Sequence, residues 1–197
     1  MLKNILLVLA VIVLTAAEVV AESPSRLQLE RQMEVRGYFP DTRPIKKILA
    51  RRDARRLTRI KEAVYDRRLT PSLVAAIGLQ ETGHLPEADR NNAIGDNGDS
   101  VGRYQIQVST VLDVNAWYGT EFEPKDRKDP HLARIILRLY LHRQYWRIED
   151  QLNVGKSCNE LILLTPVQIA RIWNGGTGYW DKPATDAYGL AIVGWLE

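Results

Sequence analysis

The sequence predicts a mainly α protein with one small β element, and three observations carry that prediction. Three times a side chain able to cap a helix is followed directly by proline, at Thr70-Pro71, Asp129-Pro130 and Thr165-Pro166. The capping oxygen satisfies a free amide of the first turn, and proline loses nothing at the first helical position, where its missing N–H would have no partner. Behind each start the apolar residues recur at helical spacing. Only Val101 to Gln107 (VGRYQIQ) alternates, weakly, as a short strand or the arm of a hairpin does.

Taken from the start, Met1 to Ala21 carries Lys3, an apolar run from Ile5 to Leu14, and Val19-Val20-Ala21 before Glu22. That order fits a secretory signal peptide cleaved after Ala21. An apolar core of about ten residues is short of the roughly 20 that span a membrane, so cleavage is expected over anchoring. Export to a periplasm, cell envelope or medium follows. Residues 22–69 form a basic extension. Pro24 to Thr70 holds 14 Lys and Arg against 6 Asp and Glu, a net +8, whereas Pro71 to Glu197 holds 12 against 16, a net −4. Leu27 to Arg43 reads as linker, with Gly37, Pro40 and Pro44 as breakers. From there Ile45, Ile48, Leu49, Ile60 and Val64 recur at helical spacing, with Arg51, Arg52, Arg55, Arg56 and Arg59 between them. The arginines are either the solvated face of a docked helix or a patch that holds residues 24–70 to an anionic envelope surface. No nucleic-acid recognition motif accompanies the charge, so nucleic acid is not an expected partner.

Residues 70–197 form the main domain. Its first helix is almost purely apolar from Ser72 to Leu79, with Gly83 as the stop. A short helix that is apolar all round is a core helix. Its last turn nevertheless carries Glu81. Burial penalises the anion, and so does the negative end of the helix dipole. Both raise the pKa, which suits a general acid working near neutral pH. The plainer alternative is that Glu81 reaches solvent at a frayed helix end. Asn91 to Gly98 (NNAIGDNG) is dense in turn formers and reads as loop. Beyond the hairpin, Ser109 is placed to cap a helix to Trp117, ended by Gly119. Pro130 opens a long helix with Leu132, Ile135, Ile136, Leu139 and Tyr140 as its stripe. Pro166 opens another, stopped at Asn174-Gly175-Gly176, and Thr185 begins the last, which carries Tyr188, Ile192, Val193 and Trp195.

A glutamate ending a buried helix, then Glu81-Thr82, Ser100-Val101-Gly102 and Gly102-Arg103-Tyr104-Gln105-Ile106, resembles the soluble lytic transglycosylases and goose-type lysozymes. A second block, Ala170-Arg171-Ile172-Trp173-Asn174-Gly175-Gly176, is similar to that family's Ala-x-x-Tyr-Asn-x-Gly, with Trp in the Tyr place. The resemblance spans Thr70 to the C-terminus. It implies a lysozyme-like α+β fold, with the small β-hairpin beside the catalytic helix. It also implies cleavage of the β-1,4 bond between N-acetylmuramic acid and N-acetylglucosamine in peptidoglycan glycan strands. Glu81 would act first as acid and then as base, closing a 1,6-anhydro ring, with no cofactor. Gln105 would lie beside the acid and help hold the sugar. Tyr104 and Trp173 offer flat faces, and Asn174 is either an acetamido partner or a helix cap. Thr82, Gly102, Gly175 and Tyr188 complete the candidate substrate-binding set. Thr82 for Ser keeps a hydroxyl; Trp173 for Tyr removes one that in the family sits near the glutamate.

Two alternatives remain open. Asp96 and Asp99 are turn residues, but either one facing Glu81 would orient a water and make the enzyme a hydrolase, goose-type or chitin-active. An exported module that binds glycan without cleaving it is the other. Cys158, the single cysteine, forms no internal disulfide; a buried thiol in a monomer is expected, with a dimer linked through it as the alternative. His84, His131 and His142 have no metal-ligand spacing and are expected at the surface.

Overall fold

The computed structural model describes residues 54–178 and 180–196. The expected signal peptide, Met1 to Ala21, and the basic run from Pro24 to Asp53 lie outside the described residues. The described chain is mainly helical, with a small antiparallel sheet: α1 (Ala54–Val64), α2 (Pro71–Thr82), β1 (Ile94–Gly95), β2 (Ser100–Val101), β3 (Ile106–Gln107), α3 (Val108–Tyr118), α4 (Pro130–Leu152), α5 (Pro166–Gly175) and α6 (Asp186–Leu196). Among the described residues no helix is long and apolar enough to cross a membrane.

The core is built on the 23-residue helix α4. Asp129 caps it, its side chain accepting the amides of His131 and Leu132 at 2.8 and 2.9 Å. The stripe expected there is wider than one face. Ile135, Ile136, Leu137, Leu139, Leu141, Tyr145 and Ile148 are all buried, because α1, α3 and α5 pack around it. Thr70 caps α2 through the Leu73 amide at 3.1 Å. Thr165 caps α5 in a reciprocal box with Gln168. All three cap-proline starts therefore open helices.

Helix α1 is docked: Ile60, Ala63 and Val64 are buried, as is Leu69 behind it. Its charged face stays outside, except where the Arg56 guanidinium lies against Gly119, the left-handed C-cap of α3. A cation there meets the negative end of that helix.

Several local expectations are corrected. Asn91 to Gly98 is not all loop: Ile94–Gly95 pairs with Ser100–Val101 as β1, register Ile94 to Val101, making a three-stranded sheet with β3. The pair was hidden because the strand is only two residues long. Helix α3 starts at Val108 with Gln107 in the cap position, so Ser109 lies inside it, its hydroxyl 3.4 Å from Gln107 Oε1. Gly83 does end α2, but at φ −62°, so the chain turns on without a left-handed residue. Cys158 is exposed, because it opens a short 3₁₀ turn on the Val154–Leu163 connection instead of facing the core.

Candidate active site

Three helices bring the site together. Glu81 stands in the last turn of α2, which packs against α5 and α6. From α6, the Tyr188 hydroxyl donates to Glu81 Oε1 at 2.8 Å. From α5, Trp173 lies by the same carboxyl and favours its charged form. Burial raises the Glu81 pKa above the ordinary carboxyl value. Tyr188 and Trp173 pull it back only in part, and the negative charge of Asp96 adds to the rise. The glutamate is thus not a frayed, solvated residue but a held one. Burial and the Glu81 charge push the Tyr188 hydroxyl far above the usual tyrosine range, so it stays a donor across the working pH range. A hydroxyl thus stands at the carboxyl although residue 173 is Trp, and it comes from Tyr188 on another helix.

The remaining predicted residues divide into those at the carboxyl and those that frame it. Thr82 is 1 % exposed and donates to the carbonyls of Gly78 and Arg103, each at 3.0 Å. It ties α2 to the hairpin and has no face for a substrate. Tyr104 is 2 % exposed and packs on α2 where Gly78 leaves room; a Cβ at Gly78 would sit 3.0 Å from Tyr104 Cε1. Its ring is core, not a sugar platform. Gly102 is buried at φ +81°, and a Cβ there would strike the Arg127 carbonyl, so the glycine serves the turn. Gln105, at φ +50°, spends its Nε2 on the Gly102 carbonyl at 2.9 Å, and its Oε1 lies against Gly95. Among the described residues it makes no hydrogen bond to Glu81. Burial corrects the substrate-contact expectation for Thr82, Tyr104 and Gly102, which build the wall that holds α2 in place; Gln105 stays half-buried. Asn174 is exposed and Gly175 half-buried beside Trp173; the cap falls to Gly176, whose amide bonds the Ile172 carbonyl at 2.8 Å.

The two aspartates differ. Asp96 sits at φ +47° with Asn97 at φ +55°, and its Oδ2 accepts the Ser100 hydroxyl at 2.6 Å. Its charge reaches Glu81. The charge of Asp99 falls instead on Arg127, which also takes the Asp99 carbonyl at 2.8 Å.

Residues that the sequence did not single out complete the frame. Arg127 is 8 % exposed and pins the hairpin through the carbonyls of Asp99, Ile106 and Pro124. Its Pro-Lys-Asp-Arg-Lys setting looks like a solvated run, so no local pattern marks it. Tyr140 of α4 meets Trp173 edge-on, with ring centroids 5.6 Å apart, and stacks on Trp117 at 5.9 Å. Among the described residues no group of His, Cys, Asp and Glu could hold a metal ion. Comparison with protein-family models, with curated proteins and with solved structures finds no match to this chain.

Proposed function

We propose that this protein is an exported lytic transglycosylase of lysozyme-like fold that cleaves the β-1,4 bond between N-acetylmuramic acid and N-acetylglucosamine in peptidoglycan. The observation that carries this reading is the Glu81 carboxyl, its pKa raised by burial while the Tyr188 hydroxyl donates to it. A binding module gains nothing from that arrangement; a group that must give a proton and then take one back does. Protonated Glu81 donates to the glycosidic oxygen as the C–O bond breaks and positive charge develops at the muramoyl C1. The carboxylate left behind is stabilised by Tyr188 and Trp173. It then accepts the proton of the muramoyl C6 hydroxyl as O6 closes on C1, giving the anhydro end and restoring the acid. One carboxyl serves both steps.

Hydrolysis is the second reading, and Asp96 favours it. A strained turn carries this residue close enough to act on Glu81, where strain is a mark of functional placement. In that case Asp96 takes the proton of a water attacking C1.

Digestion of purified peptidoglycan with mass analysis of the ends separates the two. Anhydro ends are expected. Glu81→Gln keeps the size and cannot donate, so the rate falls by about 10²–10⁴ with the fold intact. Asp96→Asn and Asp99→Asn remain within about tenfold of wild type, a barrier change of about 1.4 kcal/mol. Reducing ends with a crippled Asp96→Asn establish hydrolysis, and a wild-type rate in Glu81→Gln overturns both readings.

A further inference from the structure

A cavity of about 470 Å³ opens where α1, α3 and α4 meet, within the volume range of small-ligand sites. Its walls are aromatic: Trp117 from α3 and Trp146 from α4, the latter 47 % exposed. Around them stand two cations, Arg59 and Arg143, and two anions, Glu62 and Asp150. Among the described residues none of these four makes an ion pair or a side-chain hydrogen bond, so both donors and acceptors are free for a ligand. The floor is uncharged: the Tyr118 hydroxyl meets His142 Nδ1 at 3.0 Å, and burial holds His142 down at about 4, neutral at physiological pH.

The balance selects a ligand. An anion meets Glu62 and Asp150, a cation meets Arg59 and Arg143, and an apolar molecule strips water from all four. A neutral ligand with flat C–H faces and many hydroxyls suits every wall at once. Its faces lie on indole, its hydroxyls donate to the carboxylates, and its oxygens accept from the guanidinium groups. The cavity is also connected to the glutamate. Trp117 stacks on Tyr140, Tyr140 meets Trp173, and Trp173 acts on Glu81, an aromatic row from the cavity towards the carboxyl.

We infer that this cavity is a second saccharide site, taking a neutral N-acetylhexosamine segment of the polymer on which Glu81 acts and holding the strand while it is cut. The identity of the polymer rests on the proposed function; the site itself does not.

The test follows the five indole N–H signals of the full chain by ¹H–¹⁵N spectroscopy during titration with triacetylchitotriose, assigning them by Trp117→Phe and Trp146→Phe. The Trp117 and Trp146 signals should move together and saturate. They should do so in Glu81→Gln as well, and about tenfold more weakly in the Glu62→Gln, Asp150→Asn double variant, which alters only exposed side chains. Movement of Trp173 alone overturns the proposal. So does displacement of the sugar by D-alanyl-D-alanine or inorganic phosphate at lower concentration, which would make the cavity a zwitterion or anion site. If the cavity signals respond but peptidoglycan is not cleaved, the cleavage reading fails and the site stands. If cleavage occurs and these signals stay still, the reverse holds.

Discussion

At the scale of single residues, the proton on Glu81 is governed by opposed influences that can be removed one at a time. Burial favours the acid, the hydroxyl of Tyr188 and the indole of Trp173 favour the anion, and the charge of Asp96 favours the acid again. In the proposed reaction the acid form must be present in the free enzyme, so kcat/KM should fall as pH rises through the Glu81 pKa. Tyr188→Phe deletes a donor to the anion, raises that pKa and moves the alkaline limb to higher pH. Asp96→Asn deletes a neighbouring negative charge, lowers the pKa and moves the limb to lower pH. Profiles of kcat/KM against pH on peptidoglycan should show these opposite displacements. A limb that stays put in both variants, or moves the same way in both, means that another group titrates.

At the scale of elements, the frame of the site hangs on how α1 and α2 are joined across α4. Arg138 of α4 is 4 % exposed and reaches the connection between them, donating to the carbonyls of Val64 at 2.6 Å, Asp66 at 3.0 Å and Leu69. Burial lowers its pKa to about 10, which leaves it charged at neutral pH. Removing a buried ion can be harmless when its partner goes too. Here the partners are backbone carbonyls that cannot leave, each costing about 1–3 kcal/mol when unmet. Arg138→Met should therefore destabilise by about 3–5 kcal/mol and lower Tm by roughly 10–20 °C in a thermal melt. A change under 1 kcal/mol would show that water reaches those carbonyls. Nothing local in Arg134-Ile-Ile-Leu-Arg138 announces the role, because an arginine between apolar residues reads as the outer face. The helix starts were legible because cap and proline chemistry is local, and Glu81 because it ends an apolar helix. Tyr188 and Trp173 were visible only as members of a set. Their meeting at one carboxyl, and the burial of Tyr104 and Thr82, depend on how α2, α5 and the hairpin pack.

At the scale of the whole molecule, His142 sits where the α1–α2 connection, α3 and α4 converge, so its protonation bears on global stability. The ring is expected at the surface from sequence, yet its side chain is 17 % exposed, with Nδ1 on the Tyr118 hydroxyl at 3.0 Å and Nε2 3.9 Å from Asp66 Oδ2. Burial lowers its pKa to about 4; Asp66 opposes this, while Arg68, Arg138 and Arg143 reinforce it. At pH 7 the ring is neutral, so the Asp66 contact is not an ion pair. In the unfolded chain the same ring titrates near 6.5. Between those values the unfolded state binds a proton that the folded state refuses, so stability falls as pH drops from about 6.5 towards 4 and is fully present above that window. The difference in pKa, 6.5 against about 4, sets the full size at about 3 kcal/mol. Urea unfolding at pH 7.5 and at pH 4.5, for wild type and His142→Gln, isolates this contribution by difference. The wild type should lose about 2 kcal/mol more than the variant over that interval. Equal losses would mean that the ring is solvated in the folded state and that the junction of α1, α3 and α4 is looser than its packing indicates.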